Sequence, residues 1–244
     1  MEDKKAKEKL TPAIDLLESS IKLWWQNLAK FILASAWGFI YSLIPMALIL
    51  LFYFLGYKVF SLAYFGAIFY LLLFLGFCVI FYFLIRSYMT LFLLIKRNYE
   101  GNPLTVFKET RSLFWPYLGL VLLTALLVLL WSCLFIIPGI IFSIFYSFAA
   151  YAFFFEDKRG GKAIKRSQEL VKGYFWPIIG RFLLLFIVLW TAEILITIPL
   201  SKLAVESLAW NFYYYFVQVF NFIITPISIL FSYQIFKDLA RIKK

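Results

Sequence analysis

"FIIPGIIF", Phe135 to Phe142, lies within residues 117 to 155, a run of 39 residues with no Lys, Arg, Asp or Glu. As a single helix that run would be about 58 Å long at 1.5 Å per residue, against a hydrocarbon core of roughly 30 Å. It must therefore cross a membrane twice. Pro138 has no backbone N–H and Gly139 tolerates left-handed dihedrals, so Pro138-Gly139 is the expected turn between two spans.

The composition points to the same solvent. The 244 residues are 64% apolar and 15% charged, whereas a soluble domain carries roughly 25% charge. Runs with little or no charge predict spans near 31–55, 59–85, 117–137, 140–155, 178–199 and 211–236. The expected fold is an all-α membrane protein. Residues 1–30 form an N-terminal segment with an amphipathic helix, 31–236 a six-span domain, and 237–244 a basic tail. Met1 to Lys9 is charged and lacks the apolar core of a secretory signal, so no segment is expected to be removed.

The net charge of +11 is distributed in a pattern that suits lipid and not nucleic acid. With the chain threaded through six spans, 22 of the 24 Lys and Arg fall on one side; Lys58 and Lys202 fall on the other. The positive-inside rule then places both termini in the cytoplasm and the protein in a cell membrane, inner or plasma, as a multi-pass protein. Pro138-Gly139 faces outward. Cys78 and Cys133 sit in apolar runs, where neither a disulfide framework nor a metal site is indicated.

The chain also resembles itself. An offset of 61 aligns Phe114-Trp115-Pro116 and Gly119 with Phe175-Trp176-Pro177 and Gly180, and Ile137-Pro138 with Ile198-Pro199. A weaker first copy has Thr11-Pro12 and Trp24 in the spacing of Asn102-Pro103 and Trp115. The expectation is three pseudo-repeated hairpins, each preceded by a cytoplasmic amphipathic helix. Thr11 or Asn102 would cap that helix, and Gly173 would end its third copy. Trp115-Pro116 and Trp176-Pro177 would be bends at the inner surface, because Trp favours the headgroup level and the residue before Pro leaves the α region. Ile44-Pro45 lies too close to Gly56-Tyr57-Lys58 for a reversal and predicts a kink. Ser35, Gly38 and Ser42, and Ser143, Ser147 and Ala150, mark close-packing seams.

Three groups of side chains are candidates for function. Lys162, Lys165, Arg166 and Lys172 form a basic face over Ala163, Ser167, Leu170, Val171 and Tyr174. They suit anionic lipid headgroups, or serve as ordinary topological anchors. Glu193 is the acid well inside a span, and Thr197 shares its face one turn on. In span six, Asn211, Tyr214, Gln218, Asn221, Thr225, Ser228 and Ser232 recur at steps of three and four, giving one polar face. That face reads as a hydrogen-bonded packing seam, or as a polar path shared with Glu193. Chemistry is less favoured. The chain has no histidine, no Ser, Cys or Lys with a recognisable base partner, and an acidic pair, Glu156-Asp157, that reads as a solvated cluster beside Lys158-Arg159.

Ile137-Pro138-Gly139-Ile140, Glu156, Ala163-Ile164-Lys165-Arg166-Ser167 and Leu170-Val171-Lys172-Gly173-Tyr174-Phe175-Trp176 occur in that order. Over roughly residues 104–238 this resembles the glycerophosphoryl diester phosphodiesterase membrane-domain family and the related YciC-like membrane proteins. The resemblance implies a multi-span module that in some members accompanies a soluble metal-dependent phosphodiesterase domain. That activity is not carried over to these residues. The expected protein is non-catalytic, with no cofactor and no metal. It organises the membrane or binds lipid or a protein partner, including a second copy of itself, through its basic inner surface. The alternative is a flux path for a small solute or lipid along Glu193 and span six.

Overall fold

The structure, a computed structural model, describes residues 10–59, 63–199 and 207–243, with side chains at 53, 55–59 and 63–68 excluded. Lys202 and the predicted outer loop around it lie outside the described residues, as do Lys4, Lys5, Lys7, Lys9 and Lys244 and the Lys58 side chain. The described chain is all helix with no strand. The helices are α1 (Ala13–Gln26), α2 (Leu28–Val59), α3 (Ala63–Lys96), α4 (Pro103–Leu134), α5 (Ile136–Tyr146), α6 (Ala149–Phe155), α7 (Gly161–Val171), α8 (Phe175–Thr197) and α9 (Leu208–Ile242). Among the described residues six helical segments are long and apolar enough to cross a membrane: Leu28–Phe52, Phe69–Lys96, Pro103–Leu134, Ile136–Phe155, Phe175–Thr197 and Leu208–Ile242. The chain forms two compact units, Leu28–Trp115 and Met1–Asn27 with Pro116–Lys244.

In the unit Leu28–Trp115, α2 and α3 pair through a close backbone approach. A Cβ placed on Gly38 would lie 2.4 Å from Ser87 Cβ and 2.9 Å from the Phe83 carbonyl oxygen. Ser87 is buried there and its hydroxyl donates to the Ala34 carbonyl at 2.8 Å. This is the seam predicted at Ser35 and Gly38, and the Ser35 carbonyl lies 3.1 Å from the same hydroxyl. A tight turn follows α3, with left-handed φ at Asn98 (50°), Tyr99 (65°) and Gly101 (96°). Asn102 then caps α4 as expected, its Oδ1 accepting from the Leu104 N–H at 2.9 Å, with Pro103 as the first helical residue.

The FIIPGIIF break falls three residues earlier than the sequence suggests. α4 ends at Leu134, Phe135 is extended (φ −160°, ψ 147°), and Pro138 and Gly139 lie in the first turn of α5. Gly139 does not use its left-handed freedom. Its role is contact, because a Cβ there would meet Ser132 Oγ at 2.1 Å and Ser132 Cα at 2.9 Å. Pro138 is tolerated because first-turn N–H groups have no intrahelical acceptor. Gly139→Val is therefore expected to cost about 1–3 kcal/mol, while Pro138→Ala stays within about 1 kcal/mol. Thermal melting of the two purified variants checks this. Adding Ser132→Gly to Gly139→Val should restore only part of the loss, since the Cα conflict remains.

Two other proline readings also change. α4 runs unbroken through Trp115-Pro116, so the segment expected to be a separate amphipathic helix is the first half of a long one. Trp176-Pro177 falls in the first turn of α8, where proline is compatible with a helix start. α2 includes Pro45, so no reversal occurs there, in keeping with the sequence reading. Thr11 does not cap α1. Its backbone N–H donates to Asp238 Oδ2 at 3.0 Å, and Pro12 precedes the helix without a side-chain cap. α1 runs antiparallel along α9, also joined by Gln234 Nε2 to Ser19 Oγ at 3.1 Å and by Trp24 Nε1 to the Ile223 carbonyl at 2.9 Å.

Candidate functional site

The span predicted at 140–155 is not one continuous helix. α5 ends at Tyr146 and α6 begins at Ala149, leaving backbone groups without intrahelical partners in a buried place. Ser167 of α7 supplies them. It is fully buried, accepts from the Phe148 N–H at 3.1 Å and donates to the Phe145 carbonyl at 2.7 Å. The rest of the buried face of α7 is Ala163, Ile164, Leu170 and Val171. The helix starts after Gly160 (φ 49°) and is closed by Gly173 (φ 87°), the glycine expected to end it.

Docking splits the predicted basic cluster by function. Arg166 turns inward, and its Nε and Nη2 reach the Glu156 carboxylate at 2.8 and 2.9 Å, a two-pronged ion pair with both side chains about one-fifth exposed. These hydrogen bonds push the Arg166 pKa above its ordinary value, against the smaller opposing effect of burial. Glu156 is thus paired ten residues along the chain, not within a solvated cluster with Lys158 and Arg159. Arg159 instead stacks over the Phe153 ring at 4.1 Å. Lys243, the residue that follows α9, donates to the Glu169 and Lys172 carbonyls, neutralising the carbonyl end of α7.

Lys162, Lys165 and Lys172 stay exposed. Lys165 and Lys172 line an open cavity of about 390 Å³ with Gln168, Glu169, Phe142 and Phe145. One wall is aromatic and belongs to α5; the rim, on α7 and its C-cap, carries two lysines and Glu169, whose carboxylate lies 4.0 Å from Arg166 Nη1. Such a groove can hold an acyl chain against the rings and an anionic headgroup against the ammonium groups. Phe142 and Phe145 were not legible as part of the site. The only hint was their position near Ser147, one of the small residues read as a seam.

Glu193 and the polar face of α9 line none of the described cavities. Glu193 is exposed on α8, and Thr197 donates to the Glu193 carbonyl at 2.9 Å without touching its carboxylate. Gln218 and Thr225 are exposed; Asn221 and Ser228 are half-buried. The Thr225 and Ser228 hydroxyls bond carbonyls of their own helix, both at 2.8 Å. Among the described residues no hydrogen bond joins the Glu193 side chain to this face. The exposed tryptophans Trp115 (74%) and Trp176 (77%) stand on α4 and α8.

Comparison with protein-family models, with curated proteins and with solved structures finds no match for this chain.

Proposed function

We propose that the protein is a non-catalytic multi-pass membrane protein that binds anionic lipid at the cytoplasmic surface through α7. The observation that carries this reading is the pairing of Lys165 and Lys172 with an aromatic wall, Phe142 and Phe145, in one cavity. A basic face that only anchored topology would need the lysines but not the wall. A flux path would need Glu193 and the α9 face to line a shared, sheltered space, and the exposure of Glu193, Gln218 and Thr225 favours lipid binding instead. The outward polar face of α9 suits a protein partner or a second copy, because lipid tails satisfy none of its groups.

A basic residue near an anionic surface contributes about 1 kcal/mol. Lys165→Gln/Lys172→Gln is therefore expected to weaken retention of phosphatidylglycerol by the purified protein about thirtyfold. Arg166 is kept, because it holds the helix in place. Binding equal to wild type in a variant of unchanged melting temperature would remove the basis of the proposal.

A further inference from the structure

The unit Leu28–Trp115 contains a cation that the charge tally treated as one more basic residue near a span. Arg86 of α3 is 6% exposed. Its Nε donates to Thr110 Oγ1 at 2.9 Å, its Nη2 to the Phe107 carbonyl at 2.6 Å, and its Nη1 to the Tyr82 hydroxyl at 3.2 Å. The guanidinium carbon also lies 4.4 Å from the centre of the Phe107 ring. Every described partner is neutral. A buried guanidinium without a carboxylate is costly, so its positive field is not cancelled locally.

That field reaches an open cavity of about 740 Å³ through Tyr82, which lines it together with Lys108, Glu109, Arg111, Ser112, Phe114 and Trp115. By accepting from Arg86, the Tyr82 hydroxyl keeps its own proton free to donate into the cavity. The acid of the lining, Glu109, is engaged by Arg97 at 2.5 Å. Lys108 and Arg111 are exposed, and among the described residues neither is in an ion pair. A planar guanidinium, an ammonium and a polarised phenol are the donor set that matches the oxygens of a phosphate. The sequence offset of 61 places Arg111 on Lys172 and Trp115 on Trp176, so the cavity falls at the register of the α7 groove.

We propose that this cavity is a phosphate-ester site, contacted by Tyr82, Lys108 and Arg111 and positioned from beneath by Arg86. It differs from the α7 groove in reading the phosphate itself, where two ammonium groups accept any anionic amphiphile. Because it uses other residues, it stands or falls separately from that reading.

The test is native mass spectrometry of the full chain in detergent with three probes: phosphatidic acid, soluble glycerol 3-phosphate and oleate. Lys108→Gln/Arg111→Gln should lower phosphatidic acid affinity about thirtyfold at one site and leave oleate binding unchanged. Lys165→Gln/Lys172→Gln should do the reverse, reducing oleate binding while one phosphatidic acid stays bound. Arg86→Met should fold, since it leaves no buried charge and Thr110 Oγ1 still donates to the Phe107 carbonyl at 2.7 Å, yet lose phosphatidic acid selectivity over oleate. If that variant does not fold, Tyr82→Phe should show the same loss of selectivity, about fivefold by removing one charge-polarised hydrogen bond. Competition by glycerol 3-phosphate would assign a soluble ester, and its absence a lipid. Phosphatidic acid and glycerol phosphate binding at wild-type strength in folded Lys108→Gln/Arg111→Gln would overturn the proposal.

Discussion

Gly38→Leu is expected to be the most damaging single substitution in the unit Leu28–Trp115. The first atom added would sit 2.4 Å from Ser87 Cβ, and the rest of the side chain has the Phe83 carbonyl oxygen 2.9 Å away. Neither neighbour is the end of a flexible side chain, so helices α2 and α3 must separate. Separation also breaks the 2.8 Å bond from the Ser87 hydroxyl to the Ala34 carbonyl, whose hydrogen bond has no water to replace it. Overpacking and the lost bond together should cost about 3 kcal/mol, a fall in melting temperature of roughly 5–10 °C. The spans themselves survive, since each keeps its internal hydrogen bonds. Helix content by circular dichroism should therefore stay constant while the thermal transition moves down. A Gly38→Leu protein melting with wild type would mean that this approach is not what holds the pair.

Ser167→Val is the counterpart in the other unit. Valine replaces the hydroxyl by a methyl and adds a second one, the shape of threonine, and leaves the Phe148 N–H and the Phe145 carbonyl without the partners they have at 3.1 and 2.7 Å. Phe148 is fully buried, so water does not compensate. With about 1–3 kcal/mol for each of the two orphaned groups, the loss should be roughly 2–6 kcal/mol and should fall locally on α7. The readout is limited trypsin digestion. Cleavage at Lys162 and Lys165 should accelerate at least tenfold, while sites in α9 stay protected. Ser167→Thr, which keeps the hydroxyl, should restore most of the resistance; equal cleavage of Val and Thr variants would show that volume and not hydrogen bonding governs the site.

What could be read from the chain alone followed the range of the interaction that decides each feature. The six apolar segments rest on composition over about 20 residues, and the structure has them. The Asn102 cap, the Gly173 stop and the Ser35–Gly38 seam each depend on a local property, a short side chain or a left-handed φ, and each was found where expected. The proline readings were weaker, because proline tells where a donor is missing and not where the chain turns. At Pro138 the missing donor falls in a helix's first turn, so the reversal moved to Phe135. At Pro116 the helix absorbs it. The features of the two candidate sites depend on distant partners: Ser167 on the α5–α6 break, Arg166 on Glu156, and Arg86 on Thr110. A sequence count treats Arg86 as one more positive charge, although Tyr82 one turn before it hinted at a guanidinium held on a helical face.

The break between Tyr146 and Ala149 also bears on the order in which the protein can be built. Its backbone groups are satisfied by a serine about 20 residues further along, which at 5–20 residues per second is made one to a few seconds later. During that interval the α5–α6 segment is an unfinished span whose exposed groups need water. It can rest at the edge of the bilayer but is penalised for sinking fully into it. Completion of α7 removes that restraint and at the same moment sets the two groove lysines in position. The groove therefore takes its final form before α8 and α9, the last two apolar helices, are made.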